Sequence, residues 1–572
     1  MKLIFEYIKR HWISFLLSTM FLTLEAAADL LQPTFMSYIV DRGIKNADVD
    51  RILHYGLIML CIAAVGAAGA LMRNYFSVRT SQTVALELRR DMYRSVQRLS
   101  LENIDVLQPA GIITRITNDV TQIQEFINSM MRMMVKAPIT CIGAVALIII
   151  QTPRQAPVLI VIIIIVSFLI LGNVKIGYPR FGRVQKKLDA LNAAAREFLS
   201  SVRVVKAFNA EEAEEKKFNA ASGELAAANT SALHANALFN PLINLAVNMG
   251  IVVLLYISRS QNAGEIGKLM ASVNYMTQVL FALTRIANVI NIAVRAMASS
   301  ARIQEVFDEK PAQPRAESPL STEIRGNIKF DNVSFAYAIS AKDSLSGISL
   351  TVREGETLGI IGPTGAGKTT LINLIPRFYD ATEGAVYIDD CNVNSMDEHT
   401  LRAAVAVVPQ KALLFSGTIR DNLLWGKSDA TQAELDSACR TARADEFIKN
   451  TPNGYDSILG QGGVNLSGGQ KQRLSLARAL IRTPKILILD DCTSALDADT
   501  EARVLSSICE TARGMSVLLI SQRISTVMKV DRILCLENGL MRGLGTHDEL
   551  MRICPLYREI YASQIGGEAD GN

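Results

Sequence analysis

Six long apolar tracts in the first half of the chain constrain its fold more than any other feature of the sequence. Most of them approach the roughly 20 residues that a helix needs to cross the hydrocarbon core of a bilayer. After about residue 326 the composition becomes that of an ordinary soluble domain. The sequence therefore predicts an α-helical membrane domain at residues 1–310, a linker at 311–326 and a soluble domain at 327–572. The six tracts are residues 12–40, 52–72, 133–150, 157–172, 239–257 and 266–290.

The connections between the tracts predict how the six transmembrane helices are oriented. The connections after the second and fourth tracts are long, rich in Lys and Arg and helical in pattern, whereas the other connections are short. Because basic segments are retained on the cytoplasmic side, both long connections belong in the cytoplasm. There they extend the helices beyond the bilayer and turn near residues 105–112 and 206–213. We therefore expect a multi-pass protein of the cytoplasmic (inner) membrane with both termini in the cytoplasm.

Two acidic residues, Glu25 and Asp29, lie one helical turn apart inside the first tract. An ionised side chain is costly in the bilayer, so both should face the protein interior or a water-filled path. One interpretation is hydrogen bonding between helices. The other is a place on the path of a transported substrate, and the sequence leaves both interpretations open.

Composition excludes several classes of protein. The 572 residues include 59 Lys and Arg against 55 Asp and Glu, a formal net charge of +4, which is too balanced for an electrostatic nucleic-acid binder. A hydrophobic fraction of 49% excludes a disordered chain. The eight cysteines lack metal-ligand spacing, so we interpret them as thiols in a reducing compartment and not as a disulfide framework.

A phosphate-binding loop opens the soluble half. The apolar run at residues 357–361 predicts a strand, and the sequence after it matches the pattern G-x-x-x-x-G-K-[ST]. In such a loop backbone N–H groups turn towards phosphate oxygens, Lys368 reaches the β and γ phosphates, and Thr369 ligates Mg²⁺ at a helix N-terminus. The loop consists of Gly362, Pro363, Thr364, Gly365, Ala366, Gly367, Lys368, Thr369 and Thr370.

A second buried strand, at residues 485–490, ends in Asp490, as expected of a parallel strand that delivers a carboxylate to Mg²⁺. Just upstream, residues 466–470 have the sequence Leu-Ser-Gly-Gly-Gln. The order of this motif relative to the phosphate loop, Gln410 and Asp490 resembles that of the ATP-binding cassette family. Together with the six tracts, the entire chain resembles an exporter-type half-transporter, which implies an α/β ATPase domain in the soluble half.

The resemblance implies roles for individual residues. Tyr337 would stack on adenine, and Gln410 would contact Mg²⁺, together with Thr369 and Asp490, and relay the nucleotide state to the membrane domain. The cassettes of the family pair head to tail, so one chain does not complete an ATP site, and the turns near residues 105–112 and 206–213 would be coupling helices. The residues that would contact the ATP held by the second cassette are Ser467, Gly468, Gly469 and Gln470.

Two positions depart from the family pattern. Asp491 stands where the family has the Glu that orients the attacking water, and Gln522 stands where it has His. The Asp carboxylate is withdrawn by one C–C bond, ~1.5 Å, and a positioning error of that order costs around 10²-fold in rate. Gln donates a hydrogen bond but neither becomes cationic nor shuttles a proton. The sequence therefore predicts a site that binds Mg-ATP but hydrolyses it poorly.

These departures favour a heterodimer in which a different subunit supplies the complete catalytic pair, although a homodimer that tolerates Asp491 and Gln522 stays open. The predicted function is ATP-driven export of small amphipathic or hydrophobic compounds, as in multidrug transporters, with membrane lipid around the chain. Transport of lipids, peptides or a siderophore is an alternative, and so is an ATP-sensing membrane regulator. The six tracts exclude a soluble cassette ATPase of repair or translation.

The predicted topology can be tested by thiol labelling. Single cysteines introduced between residues 41 and 50 should react with an impermeant reagent added to intact cells, because that connection is expected outside. Cysteines introduced between residues 101 and 111 should react only after the membrane is permeabilised. The parent chain, with eight cysteines of its own, gives the background, and the opposite labelling pattern would overturn the topology.

Overall fold

The computed structural model describes residues 1–153, 156–258, 266–313, 320, 323–338, 340, 342–511 and 514–565. The chain divides into two compact units. We call them the helical unit, Met1–Gln97 with Ala110–Asp308, and the α/β unit, Arg98–Pro109 with Glu309–Asn572. Residues 314–319 and 321–322 of the predicted linker lie outside the described residues, so the linker bounds stay a prediction.

In the part of the chain that the structure describes, the helical unit consists of helices, four of them longer than 40 residues, and of three short π-helical turns, Ile39–Ile44, Arg115–Asp119 and Met130–Met134. One further helix, α4, lies between α3 and α5 in sequence but belongs to the α/β unit. The helices are α1 (Lys2–Arg10), α2 (Trp12–Tyr38), α3 (Val49–Arg98), α4 (Leu101–Leu107), α5 (Pro109–Thr114), α6 (Val120–Ser129), α7 (Lys136–Gln151), α8 (Ala156–Ala207), α9 (Glu211–Ser258) and α10 (Ile266–Asp308).

The prediction of a helical membrane domain is confirmed. Among the described residues, five helical segments are long and apolar enough to cross a membrane: the one formed by α2 and its π-helical turn, α3, the one that runs from α5 to α7, α8, and α9. The sixth predicted tract lies in α10, which packs against α2, α6 and α7. Its Tyr275 is buried, donates a hydrogen bond to the Leu30 carbonyl and shares another with Thr34. Polar groups of α10 therefore meet partners inside the protein.

Glu25 and Asp29 form ion pairs with cationic side chains of two other helices. Glu25 lies 2.6 Å from Arg73 of α3 and 2.6 Å from Lys136 of α7, and Lys136 lies 2.7 Å from Asp29. The side chains of Glu25, Arg73 and Lys136 are 11%, 12% and 13% exposed, whereas that of Asp29 is 43% exposed. Two acids and two bases cancel in charge and join α2, α3 and α7. The structure thus supplies partners for the interhelical interpretation, and a substrate role stays a prediction.

The described residues of the α/β unit form three sheets. The six-stranded sheet has the order β12-β11-β3-β10-β9-β6, in which all neighbours are parallel except β11 and β12. A four-stranded antiparallel sheet has the order β2-β1-β4-β5, and β7 pairs with β8. The strands are β1 (Ile328–Phe335), β2 (Leu345–Val352), β3 (Thr357–Ile361), β4 (Glu383–Ile388), β5 (Cys391–Asn392), β6 (Val405–Val408), β7 (Gly417–Thr418), β8 (Ile458–Leu459), β9 (Ile486–Asp490), β10 (Ser516–Ile520), β11 (Arg532–Glu537) and β12 (Leu540–Gly545).

Helices cover the faces of the six-stranded sheet, as a parallel sheet requires. Every residue of β9 and of β10 is buried, and Leu518 lies opposite both Leu358 and Ile488 in the central register. The helices are α11 (Lys368–Asn373), α12 (Glu398–Ala404), α13 (Ile419–Leu424), α14 (Gln432–Thr441), α15 (Asp445–Ile448), α16 (Gly468–Leu480), α17 (Ala498–Thr511), α18 (Ile524–Val527), α19 (His547–Ile553) and α20 (Pro555–Ile565).

The carboxyl ends of β3, β9, β10 and β11 lie at the same edge of the six-stranded sheet, because these strands are mutually parallel. Ligand sites in open α/β sheets form in the crevice outside the carboxyl ends of the strands. The segments that follow the four strands therefore define where a site can form. They are the phosphate loop, the Asp490–Asp491 pair, Gln522 and the turn at Asn538 and Gly539.

The ion-pair cluster in the helical unit yields a stability prediction. Glu25→Gln should lower the free energy of unfolding by about 3 kcal/mol, because it leaves Arg73 and Lys136 buried with one carboxylate between them. Asp29→Asn should cost less, since the Asp29 side chain is more exposed. The measurement is thermal unfolding of the purified protein in detergent.

A charge-balanced variant is the control for this prediction. Glu25→Gln combined with Arg73→Gln restores equal numbers of acids and bases in the cluster and should recover part of the loss. If Glu25→Gln and Asp29→Asn cost the same, or if the double variant is the least stable of the three, the cluster does not contribute through charge.

Candidate functional site

A cavity of about 380 Å³ lies at the carboxyl edge of the six-stranded sheet. Its walls are the phosphate loop, the ends of β9 and β10, and polar residues from segments before β2 and after β11. Most of the predicted nucleotide residues are brought together here. The lining residues are Ser340, Lys342, Asp343, Ser344, Thr364, Gly365, Ala366, Gly367, Lys368, Thr369, Thr370, Gln410, Asp490, Asp491, Ile520, Gln522, Asn538 and Gly539.

The phosphate loop is held in shape by glycine. Gly367 caps α11 with φ of +96°, and a Cβ atom there would lie 2.7 Å from the Ser344 carbonyl oxygen, so another residue would be both strained and crowded. The Lys368 ammonium donates hydrogen bonds to the carbonyls of Gly362 (2.7 Å) and Pro363 (2.9 Å). Burial lowers the pKa of Lys368, and the charges of Asp491 and Asp490 oppose that effect. The lysine thus lies folded over the loop in which phosphate oxygens are expected.

Thr369 and Asp490 form the predicted Mg²⁺ side of the cavity. The Thr369 hydroxyl donates to the Asp490 carboxylate at 3.0 Å and 3.2 Å. Burial raises the pKa of Asp490, and the neighbouring Asp491 adds to the effect. Within the described residues no group of three or more His, Cys, Asp or Glu side chains could hold a metal ion. Mg²⁺ commonly uses one or two carboxylates together with substrate phosphates, so a hydroxyl and a carboxylate beside a phosphate loop fit this ion.

Asp491 is held by two glutamine side chains. It follows β9 with φ of +46° and is 6% exposed. Its Oδ2 atom accepts hydrogen bonds from Nε2 of Gln410 at 3.0 Å and from Nε2 of Gln522 at 3.2 Å. The structure thus joins the two departures from the family pattern, Asp491 and Gln522, through one oxygen atom. We call this arrangement the Asp491 clamp.

The motif at residues 466–470 forms the start of α16. Ser467 is its N-cap residue: the Gln470 N–H donates to the Ser467 hydroxyl at 3.3 Å, and the Ser467 N–H donates to the Gln470 side chain at 2.9 Å. Ser467 and Gly468 are exposed and Gly469 is half-buried. Among the described residues that line the cavity of this chain, none comes from this motif. The structure therefore does not bring Ser467, Gly468, Gly469 and Gln470 into their own chain's nucleotide cavity.

Tyr337 lies beside the phosphate loop, outside the residues that line the cavity. Its hydroxyl is 3.2 Å from the Thr370 hydroxyl. Its ring is nearly perpendicular to the ring of Phe335, with centroids 4.8 Å apart, and to the ring of Tyr379, with centroids 5.3 Å apart. The adenine-stacking role of Tyr337 stays a prediction.

Sequence reasoning missed several lining residues. Asn538 and Gly539 form the turn between β11 and β12, and an Asn-Gly pair after an apolar run is a hairpin signal that could have placed them at this edge. Lys342 and Asp343 lie in a polar segment between β1 and β2 whose sequence carries no comparable signal. The Gly539 N–H donates to the Ala366 carbonyl, so the hairpin turn packs directly on the phosphate loop.

Comparison with protein families gives two matches. Residues 15–283 match the family described as ABC transporter transmembrane region, and residues 345–494 match the family described as ABC transporter. The chain also resembles a solved structure of a bacterial Atm1-family ABC exporter with ATP bound. That likeness has a TM-score of 0.79 at 27% identity and covers 96% of this chain and 97% of the other.

Three relatives illustrate the range of similar proteins. The uncharacterized ABC transporter ATP-binding protein YfiB of Bacillus subtilis is 38% identical over 547 residues, 95% of each chain. The multidrug efflux ATP-binding/permease protein Rv0194 of Mycobacterium tuberculosis is 31% identical over 93% of this chain and 44% of its own length. The ATP-dependent lipid A-core flippase of Chromohalobacter salexigens is 29% identical over 98% of this chain and 97% of its own.

The Mg²⁺ side of the cavity yields a binding prediction. Asp490→Asn should raise the Mg²⁺ concentration needed for half-maximal ATP binding at least tenfold, because it removes the charged oxygen ligand next to Thr369. ATP binding measured in EDTA should change little. The experiment is equilibrium binding of a fluorescent ATP analogue to the purified protein across a Mg²⁺ titration. Asp499→Asn, at an exposed position of α17, is the control, and an equal shift in both variants would contradict the assignment.

Proposed function

This chain belongs to the ABC transporter family, and we propose that it is one half of an ATP-driven exporter whose own nucleotide site hydrolyses ATP slowly. It has the membrane and ATPase domains of an ABC exporter half-transporter. An ABC ATPase domain implies ATP hydrolysis coupled to transport, and half-transporters of this family work as dimers. The observation that carries the finer proposal is the Asp491 clamp.

We assign the binding of Mg-ATP to the residues of the cavity. The phosphate loop and Lys368 hold the phosphate oxygens, and Thr369, Asp490 and Gln410 hold Mg²⁺. When bound, Mg²⁺ would neutralise the negative charge that develops on the phosphate oxygens. Tyr337 stacks on the adenine ring. The distance of 3.0 Å between Thr369 and Asp490 supports this assignment, since one ion reaches both oxygens.

The Asp491 clamp supports slow hydrolysis at this site. A general base orients and deprotonates the attacking water, a contribution of typically 10²- to 10⁴-fold. Here the carboxylate is one methylene shorter than that of Glu, and its Oδ2 atom already accepts two amide hydrogen bonds. Gln522 stays neutral, so it contributes no cationic charge next to the γ-phosphate. The arrangement therefore favours holding ATP over cleaving it.

The start of α16 supports a role at the partner's site. The first N–H groups of a helix have no partners within the helix and suit a phosphate group. Ser467 and Gly468 present this end to solvent. We propose that this chain completes a competent site whose base belongs to a different subunit, so that the transporter is a heterodimer. A homodimer with two slow sites is the alternative.

Exposed apolar side chains support assembly with a second subunit. Phe208, at the turn between α8 and α9, is 80% exposed. In the α/β unit, Trp425 is 67% exposed and stacks on Phe415 with ring centroids 4.5 Å apart. We take these side chains as parts of apolar surfaces that bind a partner. We propose that the turn near residues 206–213 of one subunit is a coupling helix that binds the exposed Phe415–Trp425 pair of the other subunit. The turn near residues 105–112 is the second coupling helix.

The substrate we propose is a small amphipathic or hydrophobic compound, exported across the cytoplasmic membrane. A cavity of about 330 Å³ between α2, α9 and α10 is lined mostly by apolar residues, among them Pro33, Leu255 and Met270. Likeness to a multidrug efflux protein supports this choice, and likeness to a flippase supports lipid as the first alternative. Peptide or siderophore transport and ATP sensing without transport are further alternatives. Asp29, the more exposed acid of its cluster, is the proposed polar contact on the substrate path, with Glu25 behind it.

Unequal ATP sites are the testable core of the proposal. Gly468→Asp should nearly abolish steady-state ATPase activity of the purified complex, because a carboxylate would repel the γ-phosphate at the competent site. Gly468→Ala is the matched control, since its Cβ atom meets Ala495 at the same 3.3 Å without adding charge. Asp491→Ala should reduce activity less than twofold, because the clamped residue contributes little catalysis.

Restoring the family pattern tests the same site from the other direction. Asp491→Glu together with Gln522→His should raise ATP turnover at this site at least tenfold when the partner's catalytic base has been removed. If Asp491→Ala is instead as damaging as removal of the partner's base, the two sites are equivalent and the heterodimer proposal fails.

A further inference from the structure

Four residues form a continuous line of contacts from the phosphate loop to α4. The Thr370 hydroxyl is 3.2 Å from the Tyr337 hydroxyl, and the Tyr337 ring packs edge to face with that of Tyr379. The Tyr379 hydroxyl donates a hydrogen bond of 2.7 Å to the Asp105 carboxylate. All four residues belong to the α/β unit, because α4 is part of that unit. We call this line the tyrosine relay.

The end of the relay at α4 is fixed by a buried asparagine. Asn103, 5% exposed, donates from its side-chain amide to the Glu309 carboxylate at 2.6 Å and to the Lys310 carbonyl at 3.1 Å. Its side-chain oxygen accepts from the Ala312 N–H at 2.9 Å. Asp105 is therefore carried by a helix that is tied to the segment leading into the rest of the α/β unit.

The segment that carries Tyr379 is fixed as well. Gln313 donates to the Arg377 carbonyl at 3.3 Å and to the Asp380 carboxylate at 3.1 Å. The buried Arg377 side chain forms an ion pair of 2.9 Å with Asp380. Contacts on both sides of Tyr379 thus hold its backbone. The hydrogen bond to Asp105, together with the contact of the Tyr379 ring with Phe335, then fixes the side chain.

The Tyr379 hydroxyl remains a donor through the physiological pH range. Burial and the hydrogen bond to Asp105 both raise the pKa of Tyr379 above its ordinary value. The phenol therefore stays protonated in that pH range, and a hydrogen bond from a phenol to a carboxylate is charge-assisted, about twice as strong as one between neutral groups.

Tyr337 has room to move if Tyr379 does not hold it. A cavity of about 420 Å³ opens between α4 and the aromatic rings, and its walls include Glu102, Val106 and Phe335 as well as Tyr337 and Tyr379. A ring that faces such a space adopts several rotamers unless a neighbour restricts it. Perpendicular contacts with Phe335 and Tyr379 supply that restriction.

We propose that Tyr379 is a positioning residue for nucleotide binding: fixed by Asp105 of α4, its ring sets the orientation of Tyr337 and so the affinity of the site for the adenine base. The inference rests on the proposed stacking of Tyr337 on adenine. It adds that α4, a helix which lies in sequence between two membrane-domain helices, contributes to base recognition in its own chain.

The experiment compares ligands with and without an adenine base. Equilibrium titration calorimetry on the purified full-length complex gives the Kd of MgATP and of magnesium tripolyphosphate, which has phosphates but no adenine. Tyr379→Phe and Asp105→Ala should each weaken MgATP binding about 3- to 10-fold, the range of an aromatic contact. Tripolyphosphate affinity should stay within about twofold. The double variant should be no weaker than the single variants, because both changes break the same bond.

A second tyrosine provides the matched control. Tyr455 donates a comparable hydrogen bond, 2.8 Å, to Asp436 in the same unit, away from the cavity. Tyr455→Phe should leave the ratio of the two Kd values unchanged. If Tyr379→Phe changes the ratio no more than Tyr455→Phe, or weakens both ligands equally, the positioning role is overturned.

A different result is expected if Tyr337 does not stack on adenine. Tyr337→Ala should lower the preference for MgATP over tripolyphosphate at least as much as Tyr379→Phe. If Tyr337→Ala leaves that preference unchanged, Tyr337 does not stack on adenine and the relay fails with it. If Tyr337→Ala lowers the preference while Tyr379→Phe does not, adenine stacking stands and Tyr379 has no part in it.

Discussion

The parallel pairing of β3, β10 and β9 is the constraint on which the nucleotide cavity depends. It brings the ends of strands at Ile361, Asp490 and Ile520, far apart in sequence, to one edge of one sheet. Because all three strands are buried apolar runs, burial of their side chains fixes the register. The register in turn sets the positions of the polar residues directly after each strand. The phosphate loop, the Asp490–Asp491 pair and Gln522 meet for this reason. The N-terminus of α11 forms the end of the phosphate loop, and the β11–β12 turn packs on the other side of that loop.

Local motifs could be predicted from the sequence, but contacts between side chains that are far apart in the sequence could not. The phosphate loop and Asp490 were predictable because a short pattern of glycines and an apolar run ending in a carboxylate carry their own physical reason. In the Asp491 clamp, Gln410 and Gln522 lie 81 and 31 positions from Asp491 in the sequence, and no local sequence pattern predicts these contacts. The same holds for Glu25: hydropathy places it in a helix, but the rotation of α3 and α7 that presents Arg73 and Lys136 depends on packing. The assignment of α4 to the α/β unit also lacked a signal.

Two buried acidic clusters in this chain are neutralised in different ways. Around Glu25 and Asp29, Arg73 and Lys136 cancel the charge, which leaves the cluster suited to join helices. In the nucleotide cavity Asp343, Asp490 and Asp491 oppose Lys342 and Lys368, which leaves one formal negative charge, and neutral amides satisfy Asp491. The remaining negative charge suits a divalent cation. The first cluster is balanced in charge, whereas the second has one negative charge left for a bound cation.

The placement of α4 has a consequence for biosynthesis. Asp105 and Tyr379 are 274 positions apart, and Asn103 meets its partners about 206 to 209 positions later. At the ribosomal rate of about 5–20 residues per second, α4 waits on the order of ten seconds or more before Glu309 exists, and longer before Tyr379 does. Four of the six predicted membrane tracts are made in that interval. The α/β unit therefore does not fold as a purely C-terminal domain. It is complete only with α4, a helix that is synthesised well before the rest of the unit and lies in sequence between membrane helices.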